Sequence, residues 1–158
     1  MPTRKSVVIA NELVGVVETA AAKLKLLHET DVTFKPTANK WSKKEVLGHL
    51  MDSASNNHQR FVRAQMVDGD SEFAFPGYEQ DDWVRRQDYN SKPWTELVEL
   101  WRLFNRHVAH ALRGIADDKL EKTHCRIGSG GAVTLGFIAE DYLTHMKHHL
   151  SQLGVTNV

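Results

Sequence analysis

Apolar residues recur at three- and four-residue steps in four long stretches of the chain, and each stretch predicts an amphipathic helix. The first runs from about Val8 to His28 and places Leu13, Val17, Ala20, Leu24 and Leu27 on one face. Its run Ala20-Ala21-Ala22 favours helix and lets a neighbouring helix approach closely. The second begins at Ser42, which with Glu45 forms a capping-box pattern, and Trp41 stands where a hydrophobic staple would. It continues to about Val67 and stops at the turn signal Asp68-Gly69-Asp70. The third begins near Pro93, a residue suited to the first helical position, and ends at Arg113 with Gly114 as the expected C-terminal cap. Its apolar face is Trp94, Leu97, Val98, Trp101, Phe104, Val108, Ala111 and Leu112. The fourth starts near Thr134 and ends by Gly154, with a stripe of Leu135, Ile138, Tyr142, Met146, Leu150 and Leu153.

Two connections break this pattern. Ser71–Lys92 is long for a link between helices, and such loops are usually functional. It holds Phe73, Phe75, Tyr78, Trp83 and Tyr89 among many acids, so it is expected to fold back over the bundle, with a short helix around Gln80–Gln87. Lys122–Val133 carries Gly128, Gly130 and Gly131 and reads as a loop or a small hairpin. No alternating strand run stands out. Helices of about 20 residues span about 30 Å, enough to share one apolar axis. The expected fold is therefore all-α, a four-helix bundle in a single domain over residues 1–158 with its helical core at about 8–153.

Composition narrows the function. The 158 residues are 41% hydrophobic and 25% charged, the balance of a globular domain that needs no disulfide or metal merely to fold. Lys plus Arg and Asp plus Glu are each 20, so the formal net charge is zero and a broad basic face for nucleic acid is not expected. The single cysteine, Cys125, makes no intramolecular bridge, and the expected setting for it is a loop. No window approaches 18 apolar residues, and Val7–Ala10 is too short for a signal segment, so a cytoplasmic protein without membrane spans is expected.

Nine histidines are many for this length, and three crowd into positions 145–149. On the fourth helix His145 and His149 fall within the apolar stripe, one turn apart, while His148 falls at its polar edge. Two imidazoles among Ile, Tyr, Met and Leu need partners. One divalent ion serves both, and backbone carbonyls or waters are the other way to satisfy them. The second helix offers His49 as a third ligand, near Val46, Leu50 and Ser53; alone it reads as an ordinary core or boundary histidine. Three histidines with open positions are the pattern of a catalytic metal site. His107 and His110 fall on the polar side of the third helix, His28 near a helix end and His124 in a loop.

These pieces resemble the DinB/YfiT-like superfamily of metal-binding bundles. The matching segments are WSKKEVLGHLMDSASNNHQRFVRA at 41–64, FPGYEQDDWVRRQDY at 75–89 and TLGFIAEDYLTHMKHHLSQL at 134–153. The resemblance implies an up-down-down-up bundle, a homodimer, and one divalent metal held by His49, His145 and His149. It implies zinc or nickel in first place; imidazole ligands also suit iron and manganese. It further implies a thiol-dependent S-transferase or isomerase in some members, with a low-molecular-weight thiol as a partner; the Lewis-acid chemistry of such an ion also leaves a hydrolase acting on a small molecule as a reading of the site. The other reading is a non-catalytic, stress-response type of protein in which the ion staples two helices.

Around the metal ligands, Ser53, Asn56, Asn57 and Arg60 form a polar track along the second helix. Arg60 suits a carboxylate or phosphate, or else an interhelix salt bridge. Asp52 and Asp141 are each placed to orient an imidazole or to act as a base, or else are surface carboxylates. Gln152 lies within reach of the site from the last turn. Tyr78 and Trp83, with Phe75, either close over a substrate or simply anchor the long loop.

Overall fold

The computed structural model describes residues 3–68 and 71–158. The four long helices are α1 (Lys5–Leu24), α3 (Lys43–Ala64), α5 (Trp94–Arg113) and α7 (Leu135–Gln152). Between them lie the short helices α2 (Glu29–Thr33), α4 (Gln80–Gln87) and α6 (Asp117–Lys122). The strands are β1 (Phe73–Phe75), β2 (His124–Ile127) and β3 (Val133–Thr134).

The long helices close into a ring in which α1 packs on α5, α5 on α3, α3 on α7 and α7 on α1. Tethers between helix ends show their directions. Trp94 at the start of α5 donates through Nε1 to the Leu24 carbonyl at the end of α1, at 2.8 Å. Arg4, before α1, donates to the Arg113 carbonyl at the end of α5, at 2.9 Å, so α1 and α5 run antiparallel. The ion pairs Lys5–Glu140 and Lys147–Glu12 set α1 and α7 parallel. The core along the axis is fully buried Leu13, Val17, Leu47, Phe61, Leu97, Trp101, Leu135 and Met146. Asn105 is buried among them, and its carbonyl accepts a hydrogen bond from the Tyr142 hydroxyl.

Helix ends follow the local chemistry. Ser42 caps α3: its hydroxyl accepts from Glu45 N at 3.1 Å, and the Glu45 carboxylate accepts from Ser42 N at 2.8 Å. A cap of this kind contributes about 1 kcal/mol. Thr134 caps α7 by accepting from Phe137 N at 3.1 Å. At the other end of α7, Gly154 takes φ +82°, Val155 N donates to Leu150 O and Gly154 N to Ser151 O, a Schellman stop.

Several expectations shift. The first helix starts three residues earlier than expected and ends at Leu24, so His28 becomes the N-cap of α2. The second ends at Ala64; the Asp68-Gly69-Asp70 turn signal falls partly outside the described residues. Pro93 is the cap before α5 rather than its first residue, and Gly114 ends the helix in right-handed geometry. The hairpin reading of 122–133 holds: β2 and β3 are antiparallel, and β1 adds in parallel on the other edge of β2. Cys125 sits on β2, fully buried, instead of in a loop, and burial pushes its thiol up to about 11. No helix of the described residues is long and apolar enough to cross a membrane.

Candidate metal centre

His49 lies in the second turn of α3, and His145 and His149 lie in the last two turns of α7. Because α3 packs on α7 with its start against the end of α7, residues nearly a hundred positions apart converge. The Nε2 atom of His145 is 3.2 Å from Nε2 of His49 and 3.1 Å from Nε2 of His149. One ligand atom from each of the three falls within 4.8 Å of the others. His49 is fully buried, and the other two rings are half-buried.

The donor set fits a cation better than it fits hydrogen bonding. A neutral imidazole nitrogen either donates or accepts. His145 Nε2 sits between two others and cannot satisfy both with one proton. Three lone pairs aimed at one point are satisfied together by a divalent ion. Nitrogens at 2.0–2.1 Å from a tetrahedral ion stand roughly 3.3 Å apart, close to the separations here.

The surroundings hold the rings. Gln152 Oε1 accepts from His149 Nδ1 at 2.8 Å, which leaves Nε2 as the lone pair facing the cluster. The Trp41 ring packs on His49 with centroids 5.0 Å apart, so this residue braces a candidate ligand. His49 Nδ1 is buried without a partner among the described residues.

Burial is also the main electrostatic influence. It lowers His49 to about 3, with the neighbouring His149 and His145 adding to the effect. His145 is lowered to about 4 by burial, then by His149, while Asp141 works in the opposite sense. His149 is lowered by burial, opposed by its bond to Gln152. All three therefore present neutral, metal-competent nitrogens at neutral pH.

Unfolded imidazoles take up protons near 6.5, and the folded ones resist until about 3 and 4. The unfolded chain thus binds more protons in that window. Metal-free protein is expected to be fully stabilised above pH 6.5 and to lose stability as pH falls through the window. The slope is about 1.4 kcal/mol per pH unit for each such imidazole. Urea midpoints of chelated protein at pH 7, 6 and 5 check this, and a flat series would contradict it.

A cleft of about 340 Å³ opens beside His145. Ser53, Asn57 and Arg60 of α3 form one wall, Ile138, Asp141 and Tyr142 of α7 another, and Tyr78 and Ile127 close it. The polar track read along the second helix is therefore present, except that Asn56 turns aside and its amide donates to the Asp52 carbonyl. Tyr78 is held protonated, its hydroxyl pushed up to about 12 mainly by burial. Trp83 does not line this cleft. It packs against Tyr78 at 4.9 Å between centroids and is 38% exposed.

Asp52 is not the ring-orienting group or base considered from the sequence. It is buried, and Oδ1 accepts from the Tyr89 hydroxyl at 2.6 Å and from Gln87 Nε2 at 2.7 Å. Three residues after His49, it is rotated about 60° away from it on the helix, toward the long connection. Asp141 is exposed, and it shares the cleft with His145.

Similarity to known proteins agrees with this geometry. A family model described as the DinB superfamily matches residues 15–153. A protein of Halalkalibacterium halodurans named "Putative metal-dependent hydrolase BH0277" is 22% identical over 127 residues, 80% of this chain and 71% of that protein. Among solved structures, "YfiT from Bacillus subtilis is a probable metal-dependent hydrolase with an unusual four-helix bundle topology" superposes with a TM-score of 0.75. The match is 19% identical and covers 90% of this chain and 82% of that one, which establishes a shared bundle fold.

Proposed function

This chain belongs to the DinB superfamily, and on that premise we propose that it is a divalent-metal-dependent hydrolase of a small molecule bound in the cleft beside His145. The observation that carries the reading is the convergence of three Nε2 atoms at the end of an open cleft. His49, His145 and His149 hold the ion, with zinc or nickel as the fitting metals. When bound there, a divalent ion supplies Lewis acidity and brings water to a nucleophilic state near neutral pH. The hydrolase names of the two relatives support this choice over thiol transfer.

The protein's own groups divide the remaining work. Hydrolysis adds oxygen to the attacked centre and moves a proton from water to the leaving group. Asp141 is the carboxylate that lines the cleft together with His145, and it takes the role of holding that proton in transit. Tyr78, protonated at neutral pH, offers a hydroxyl hydrogen bond to a substrate oxygen. Asn57 is buried in the cleft wall, where it positions the neighbouring Arg60 through a bond to its side-chain carbonyl at 3.3 Å. Trp83 supports Tyr78 from behind. Asp52 anchors the 71–92 connection that carries Tyr78.

An ion serving only as a staple would be closed off, whereas the His145 imidazole faces a cleft. The test is turnover of a panel of 4-nitrophenyl esters and anilides by untagged protein, before and after chelation. Hydrolysis that disappears on chelation and returns with zinc or nickel is expected. Silence across the panel with metal bound, together with a melting temperature that falls on chelation, would favour the staple.

A further inference from the structure

The cleft beside His145 is lined by one carboxylate, Asp141, and one guanidinium, Arg60. The guanidinium of Arg60 makes one hydrogen bond to the described residues, from Nη1 to Asn57 Oδ1 at 3.3 Å. Nε is buried with no partner among the described residues. No described carboxylate forms an ion pair with it, so the salt-bridge reading of this residue is not realised. Arg85, Arg102, Arg106 and Arg126 each pair with an Asp or Glu.

The groups around Arg60 do not neutralise it. Phe75 of β1 lies with its ring centroid 5.4 Å from Cζ. Tyr78 and Cys125 are the ionisable groups that act on it most directly, and burial holds them protonated, at about 12 and about 11. A half-buried cation in a partly apolar cleft, without a counter-ion among the described residues, carries a desolvation cost that a bound anion offsets.

We propose that Arg60 is the anchor for a single carboxylate, so that the cleft selects small organic monocarboxylates and orients them with the anion at Arg60 and the reacting group at His145. This rests on the hydrolase reading only for the identity of the reacting group. Asn57 stands eight residues beyond His49 on α3, about 12 Å along the axis, which separates the two ends of the ligand. The volume of about 340 Å³ sits at the small end of ligand pockets, the size of a metabolite. One guanidinium and no lysine line the cleft, which matches the single charge of a carboxylate better than a phosphate dianion.

Two arms test this. In the binding arm, hexanoate and its neutral analogue hexanamide are titrated by ligand-observed NMR into chelated protein. Hexanoate is expected to bind about tenfold tighter. Arg60→Gln should bring the two within about twofold, and Arg60→Lys should restore part of the preference, with circular dichroism confirming that both variants fold. Inorganic phosphate should compete less well than hexanoate. Equal binding of acid and amide by wild type overturns the proposal, as does an undiminished preference in Arg60→Gln or stronger binding of phosphate.

In the activity arm, the 4-nitrophenyl monoester of glutarate is compared with 4-nitrophenyl pentanoate on metal-loaded protein. The anionic ester should have the higher kcat/KM, and Arg60→Gln should lower that ratio. If neither ester reacts while hexanoate keeps its Arg60-dependent preference, the hydrolase reading fails and the anion site stands. If both react equally and acid and amide bind alike, the hydrolase reading stands and the carboxylate anchor is lost.

Discussion

His145→Ala protein is expected to retain less than about a tenth of the wild-type metal content and to lose kcat/KM by about 10³-fold or more. The reason is geometric. His145 Nε2 is the atom that touches both others, at 3.2 Å from His49 and 3.1 Å from His149. Its removal deletes the middle donor and breaks the one-turn pair on α7. Losing a group behind a ligand already costs 10–100-fold in metal affinity or activity, so losing the ligand itself costs more. The fold should survive. His145 is half-buried, alanine favours helix, and the crowding of three lone pairs is relieved in the metal-free state. The melting temperature of His145→Ala should therefore match that of chelated wild type, since binding stabilises only a protein that still binds. Elemental analysis of untagged protein, with melting curves on the same samples, checks this. Wild-type metal content in His145→Ala would remove these three histidines as the metal site.

Much of the site could be read before the fold was known, because its signals are local. The pair His145/His149 is visible as two imidazoles inside an apolar stripe, and Ser42/Glu45 is visible as a start signal for the helix that carries His49. What escaped depends on contacts between distant segments. The strands span two to four residues, too short for alternation to register, although β2 does alternate, with Cys125 inward and His124 and Arg126 outward. Asp52 carries the right chemistry for a base, but its direction is set by Tyr89 and Gln87, more than thirty residues away. Trp41 has the position of a helix staple and also packs on His49. That no described carboxylate pairs with Arg60 shows only once its neighbours are in place.

Gly48→Ala is expected to destabilise the protein by roughly 3 kcal/mol, the reverse of what helix propensity alone implies. In the interior of a helix, Gly→Ala normally gains up to about 1 kcal/mol. Gly15 in α1 is such a case: a Cβ there meets nothing within 4 Å, so Gly15→Ala should be neutral or stabilising. At Gly48 a Cβ would fall on Cγ, Cδ2 and Cε2 of the Tyr89 ring, far inside contact distance. Tyr89 is buried and cannot simply swing outward. Its hydroxyl donates to buried Asp52, so moving the ring strips that carboxyl of a partner. Overpacking costs about 1–3 kcal/mol, and an unsatisfied buried group costs about 1–3 kcal/mol more. The sum exceeds the propensity gain. For a chain of this length the melting temperature should fall by roughly 6–12 °C, measurable by thermal denaturation of Gly48→Ala beside Gly15→Ala. The position also couples fold to function. Gly48 adjoins His49, and Tyr89 ties down the connection that carries Tyr78 to the cleft, so a displaced ring disturbs both. Accordingly, Gly48→Ala should weaken metal retention as well as stability, whereas Gly15→Ala should leave metal content at the wild-type level. An unchanged melting temperature in Gly48→Ala would show that α3 and the 71–92 connection do not meet as tightly as Gly48 and Tyr89 do here.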